Sequence, residues 1–236
     1  MKPLYLADSV REVLGKSLRP GGETLTRRMV SLVRPATGDL LLDAGCGAGA
    51  SMMLLRESDT CRVVGIDFDQ GLTVEARNSG LNVAQADMAQ LPLLSDKVDT
   101  VLCECAWNLT DKQQALAEFF RVLRPGGLLA LSDIYLRHLE GQQCKRAWPN
   151  RSCFFQATDL ETVRGMVSRA GFEILQLEDH SQLLKKTAAE FVFAHGSLQG
   201  FWEAVMGDSK QAKAACTASA AARPGLFLLI GKRKKA

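Results

Sequence analysis

Asp43-Ala44-Gly45-Cys46-Gly47-Ala48-Gly49 puts an acid and three alternating glycines at the end of the apolar run 39–43. Glycines let a chain turn sharply and let a ligand approach the backbone closely. The helix expected next presents unpaired N–H groups toward whatever sits in that turn. Asp67 ends the following apolar run, where a carboxylate can accept hydrogen bonds from both hydroxyls of a ribose. Asp87 ends a third run, placed to accept from an adenine amino group. Three acids at the ends of three successive strands mark one edge of a sheet, the edge at which open α/β sheets bind ligands. The Gly-x-Gly-x-Gly spacing departs from the Gly-x-Gly-x-x-Gly of dinucleotide binders and argues against a nicotinamide dehydrogenase.

These residues need alternating strands and helices to hold them. The pattern predicts strands at 39–43, 62–67, 82–87, 97–103, 128–133, 172–178 and 226–230, separated by amphipathic helical stretches. Helices are expected over 50–57 and 70–78, and Asp111 is placed to cap one carrying Leu116, Phe119, Phe120 and Leu123. Arg124-Pro125-Gly126-Gly127 punctuates its end. Thr158 is the expected cap of a helix over 159–170. Residues 135–156 read as an irregular or partly helical cover. Residues 1–37 and 181–222 stand outside the alternation, look helical and are natural lids. No internal repeat is visible.

Composition sets outer limits. The 236 residues allow one sizeable α/β domain, and 47% hydrophobic with 23% charged residues is ordinary for a globular protein. A net charge of +3 is too small to argue for nucleic acid, and the basic run 232–235 reads as a solvated tail. No apolar run approaches a membrane span, and no secretory signal is evident, so a cytoplasmic location and no membrane partner are expected. Seven cysteines without a C-x-x-C pair, and three scattered histidines (His138, His180, His195), favour neither a disulfide framework nor a metal site.

The glycine loop, Gly65-Ile66-Asp67, Ala86-Asp87-Met88 and 121–127, in this order, resemble the successive motifs of class I S-adenosylmethionine-dependent methyltransferases. The resemblance runs in register over about residues 38–133. It implies a Rossmann-like three-layer α/β sandwich with a seven-stranded, mostly parallel sheet, its last strand antiparallel and inserted beside the sixth. It implies one methyltransferase domain: a helical cover (1–37), a core (38–180), a helical insertion (181–222), then the last strand and tail (223–236). By the same resemblance Asp43, Ala44, Gly45, Cys46, Gly47 and Gly49 hold the methionine part of S-adenosylmethionine, Asp67 the ribose, and Phe68, Asp87 and Met88 the adenine. Cys103, ending the fourth strand, is counted with this set. It faces the same way as Cys105 if the strand persists, although a small packed cysteine is the commoner reading.

The segment 104–109, with 121–127 and 132–135, is similar to arsenite methyltransferases, which present thiolates to a soft metalloid. Met52 stands where those enzymes carry a cysteine. Cys144 and Cys153 fall in the later region without a clear alignment. A small-molecule acceptor is the expected substrate, with a metalloid or thiol acceptor as the alternative. A cofactor-binding protein that has lost catalysis and serves a partner is the reading from another class. Methyl transfer from a sulfonium needs positioning more than proton transfer. If a base is used, Glu104, Asn108, Asp133 and Tyr135 are the candidates at the sheet edge. Trp107, Trp148, Phe154 and Phe155 are candidates for lining an acceptor pocket, or for core.

Overall fold

The computed structural model describes residues 3–57, 61–138 and 147–234. Seven strands form one sheet: β1 (Leu40–Ala44), β2 (Arg62–Asp67), β3 (Val83–Gln85), β4 (Val98–Glu104), β5 (Leu123–Leu136), β6 (Phe172–Asp179) and β7 (Pro224–Arg233). Their order is β3-β2-β1-β4-β5-β7-β6, with β7 antiparallel to both neighbours and the other pairs parallel. The expected Rossmann-like sheet is present, with the last strand inserted beside β6. The order reverses between β1 and β4, so a crevice opens beyond their carboxyl ends.

Adjacent residues of β1 show how the strand sequence makes three layers. Leu41 is buried on one face with Leu25 and Met29 of α2 (Gly22–Val33) and with Leu55 of α3 (Ala50–Arg56). Leu42 is buried on the other with Leu116 and Phe119 of α5 (Lys112–Val122) and Val163 of α6 (Leu160–Arg169). Alternation of side chains along a strand requires this split. Helix α4 (Gln70–Asn78) joins β2 to β3, and α1 (Asp8–Leu14) precedes α2. The insertion expected at 181–222 is three helices, α7 (Ser181–His195), α8 (Leu198–Met206) and α9 (Ser209–Ala222). Phe191, Phe201, Trp202 and Ala215 from these helices are buried on the face that carries α2.

Two local expectations change. Tyr135 and Leu136 belong to β5, because β7 continues to pair with it as far as Leu136↔Pro224. Residues 139–146, inside the expected irregular cover, lie outside the described residues. The cap of α6 is Asp159, whose Oδ1 accepts from Thr162 N at 2.8 Å, in place of Thr158. Asp111 caps α5 as expected, accepting from Gln113 N and Gln114 N.

Gly49 ends the glycine loop with φ +85°, and a Cβ there would lie 2.1 Å from Leu81 Cδ1. Its smallness lets α3 seat against the chain leading to β3. Gly49→Ala is expected to destabilise the protein by about 1–3 kcal/mol, read from urea denaturation, through left-handed strain and displacement of Leu81. An unchanged midpoint would contradict that packing role.

Candidate active site

The crevice is a cleft of about 590 Å³. Its floor is the turn after β1. Gly45 N and Cys46 N both donate to Ile66 O (2.8 and 2.9 Å), and Gly47 N donates to Asp67 Oδ2 (2.8 Å), so the loop is fastened to β2. Gly45 has φ +81°, and a Cβ there would stand 2.4 Å from Ala106 Cβ, so no side chain is accommodated. Asp67 Oδ1 accepts from Asp69 N, and Asp87 Oδ1 from Ala89 N, each at 2.8 Å. Phe68, 71% exposed, and Met88 complete that side. The roof comes from the segment before β1: Tyr5, Leu18 and Arg19 line the same space.

Charge is unevenly distributed around this cleft. Asp43, Asp67, Asp69, Asp87, Glu104 and Asp111 line it against Lys16, Arg19 and Arg151, an acidic excess suited to a ligand bearing positive charge. Arg19 and Glu104 form an ion pair with Nη2–Oε2 2.8 Å and side chains only 7% and 3% exposed. Ser51 donates to Glu104 Oε1 at 2.8 Å, and Thr26 bridges Arg19 and Glu104. Burial, reinforced by the Glu104 charge, pushes Asp43 up to about 8 despite the nearby Arg19, and its Oδ2 has no hydrogen-bond partner among the described residues. Burial also raises Asp67, against the backbone N–H groups of Asp69, Gly47 and Phe68 that favour its carboxylate. Tyr5 is pushed up to about 12 by burial and then by the charges of Asp67 and Asp69.

Of the residues expected to meet a cofactor, the fold brings Asp43, Gly45, Cys46, Gly47, Asp67, Phe68, Asp87 and Met88 to one cleft. Three others do not reach it. Ala44 is enclosed in the core on the α5 face, and Gly49 serves helix packing. Cys103 is fully buried in that core, while Cys105 lines the cleft. The strand does not persist between them: Cys105 adopts φ +53°, which breaks the alternation and turns its side chain elsewhere. The Cys46 thiol packs over Gly65 and is raised by burial, so it is a packing group.

The candidate bases also change role. Glu104 is at the cleft, engaged by Arg19, Ser51 and Thr26. Asn108 is buried away from it: its side chain donates to Ile134 O (2.8 Å) and Cys153 O (2.9 Å), fastening the 153 loop to β5. Asp133 accepts from Asn108 N and Ile134 N inside the fold. Tyr135 packs on Gly225 of β7, under the Arg137 guanidinium, and lines neither cavity. Among the aromatics, Trp107 is core, with Nε1 donating to Lys112 O, whereas Phe154 lines a second cavity. Tyr5, Leu18, Arg19, Thr26 and Ser51 escaped the sequence reading. Ser51 alone carried a local signal, as the second residue of the helix after the glycine turn. The others approach the site only through the fold.

The family profile described as "Methyltransferase domain" matches residues 42–131, from β1 into β5. By this match the segment is similar to methyltransferase domains of the class I type. Methyltransferase GfsG of Streptomyces halstedii is 28% identical over 182 residues, covering 72% of this chain and 66% of its own length. An arsenite methyltransferase of Halobacterium salinarum is 29% identical over 157 residues, 60% of this chain and 39% of that protein. A phosphoethanolamine N-methyltransferase 2 of Haemonchus contortus, solved with phosphomonomethylethanolamine and S-adenosylhomocysteine, superposes with TM-score 0.78 at 16% identity, covering 96% of this chain and 56% of that one. The chain thus spans just under two thirds of the first curated relative and less of the other two. Among the described residues no helix is long and apolar enough to cross a membrane, and no group of three His, Cys, Asp or Glu side chains is placed to hold a metal ion. Cys144 lies outside those residues.

The Arg19–Glu104 pair predicts a double-mutant result. Arg19→Met strands a buried carboxylate and is expected to lose about 3–5 kcal/mol in denaturant unfolding, much of it regained when Glu104→Gln is added. Strictly additive losses would show that the two groups are not coupled.

Proposed function

We propose that the chain is an enzyme that transfers the methyl group of S-adenosylmethionine to a small molecule, with S-adenosylhomocysteine as product. The observation that carries this reading is the convergence of Asp43 and Asp67, from the ends of β1 and β2, and Asp87, from the turn after β3, with the glycine turn on one cleft. Asp43 would receive the ammonium of the methionine part, and Asp67 the ribose hydroxyls through lone pairs left free by Gly47 N and Asp69 N. Phe68 and Met88 would flank the adenine, with Asp87 beside its amino group. Tyr5, Leu18 and Arg19 close the top and exclude water. The bound cofactor supplies a methyl carbon already activated by its sulfonium. The chain's contribution is then orientation and the acidic field around the cationic donor, in keeping with the absence of a free base among the candidates.

A second reading, transfer to a thiophilic acceptor such as arsenite, is favoured by Cys105 and Cys153 lining one cavity. Turnover of arsenite that is lost in Cys105→Ser and Cys153→Ser would support it. The alternative of a non-catalytic cofactor-binding protein predicts tight cofactor binding with no S-adenosylhomocysteine formed from any acceptor class.

Calorimetric titration with S-adenosylmethionine and S-adenosylhomocysteine should give micromolar binding, and Asp67→Ala should weaken it by about 1–3 kcal/mol. No binding by folded protein would overturn the proposal. Asp43 adds a pH signature. With no ligand ammonium beside it the group titrates at about 8 even with Arg19 nearby and is mainly protonated at pH 7, and it ionises to meet the ammonium. Binding at pH 7 should therefore release close to one proton, seen by comparing buffers of different ionisation enthalpy, and Asp43→Asn should remove that release. Because the folded value is raised, Asp43's contribution to stability is complete below its ordinary value of 3.8 and is lost as pH rises through about 8. Asp43→Asn should accordingly raise the Tm of cofactor-free protein at pH 8.

A further inference from the structure

Beside the cleft lies a second cavity of about 220 Å³. The two share Tyr5, Leu18, Cys105 and Leu109, so the second space meets the first where Cys105 follows Glu104. Helix α1 contributes Val10 and Leu14, α7 contributes Leu184 and Phe191, and α8 contributes Phe201 and Trp202. Phe191 stacks on Phe201 at 4.1 Å, and Phe154 meets Trp202 edge-on at 5.9 Å, giving rigid aromatic walls.

The chemistry of this lining is unlike that of the cleft. It contains no carboxylate, guanidinium or imidazole, and its one ammonium, Lys185, is on an exposed residue of α7. Ser152 and Ser219 are already engaged. Ser152 donates to Pro149 O (2.6 Å), while Ser219 donates to Ala215 O and accepts from Trp148 Nε1. Burial holds the Cys105 and Cys153 thiols well above their usual range, so they remain protonated. A cation entering this space would lose its hydration and find no counter-charge, and an anion would find only the exposed Lys185 ammonium, so either is unfavourable.

We propose that this cavity is the acceptor pocket and that its acceptor is an uncharged, apolar molecule of one or two fused rings or similar bulk. The inference rests on the methyl-transfer reading above. An apolar hole of about 150 Å³ takes up a benzene ring, which sets the scale of the occupant. The boundary also constrains the reacting atom. Among the four shared residues only Tyr5 and Cys105 titrate, and burial keeps both protonated at neutral pH, so neither serves as base. The acceptor atom therefore attacks with its own lone pair. That pair forms the bond to the methyl carbon as the carbon–sulfur bond breaks and its electrons go to sulfur, and a proton on the acceptor atom leaves to water.

The test uses the full chain saturated with S-adenosylhomocysteine and three naphthalene probes of one shape: 2-naphthol, 2-naphthoate and 2-naphthylmethylamine. Calorimetry should show 2-naphthol binding at least tenfold more tightly than either ion. Ala188→Trp, which fills the pocket from α7, should reduce 2-naphthol affinity at least tenfold while S-adenosylhomocysteine affinity is retained. Leu14→Arg, from the α1 wall, should do the same and keeps the test independent of either variant's folding. Equal or tighter binding of a charged probe, or no 2-naphthol binding, overturns the pocket assignment. So does unchanged 2-naphthol affinity in folded variants, or competition between 2-naphthol and S-adenosylhomocysteine. If the unaltered protein is folded yet binds no S-adenosylhomocysteine, the methyl-transfer reading fails first, and that outcome is distinguishable from the others.

Discussion

The ion pair between Arg19 and Glu104 ties the segment before β1 to the carboxyl edge of the sheet. Glu104 ends β4 at the crevice, and Arg19 arrives from the turn between α1 and α2. Both side chains are buried, so each charge depends on the other and on Ser51 and Thr26 for its polar contacts. Such a pair contributes little net stability compared with an apolar substitute, but one partner cannot be removed alone without a large penalty. Its consequence is positional: it holds Leu18, next to Arg19 in the chain, over Gly47 of the glycine turn.

Leu18 and Cys105, the chain neighbours of Arg19 and Glu104, lie between two environments. On one side the cleft gathers carboxylates from β1, β2 and the turn after β3. One of them, Asp43, is so poorly solvated that it favours its protonated form until a cation approaches. On the other side, beyond Cys105, the walls are aliphatic and aromatic. A cationic methyl donor suits the first space and an uncharged acceptor suits the second. The distinction is one of solvation: buried charge is tolerated only where a partner charge or hydrogen bond replaces water.

The helices outside the strand–helix alternation make the second environment. Helices α7, α8 and α9 lie in the chain between β6 and β7, and β7 returns antiparallel between β5 and β6. That return is continuous: β7 pairs with β5 from Leu128 to Leu136 and with β6 from Phe172 to Asp179. The insertion is thus anchored at both ends to the sheet. Its aromatic side chains pack on the same face as α1 and α2, so the walls of the apolar cavity come from segments distant in sequence.

The sequence by itself determined the strand–helix alternation, the glycine turn and the acids that end β1, β2 and the β3 run. These depend on short-range patterns: apolar runs, positive-φ glycines and side-chain alternation, each read over a few residues. Tertiary structure decided the rest. Strand periodicity carried one residue past Glu104 would put Cys103 and Cys105 on one face, but the left-handed backbone at Cys105 sends them to different places. Asn108 and Tyr135 had the chemistry of site residues, but β5 runs on to Leu136 and the pairing of β7 buries them as structural groups. Arg19 carries no local mark, because its role is created by a contact between residues 19 and 104. Spacing along the chain reports what the backbone does locally, whereas long-range burial chooses which charges must meet.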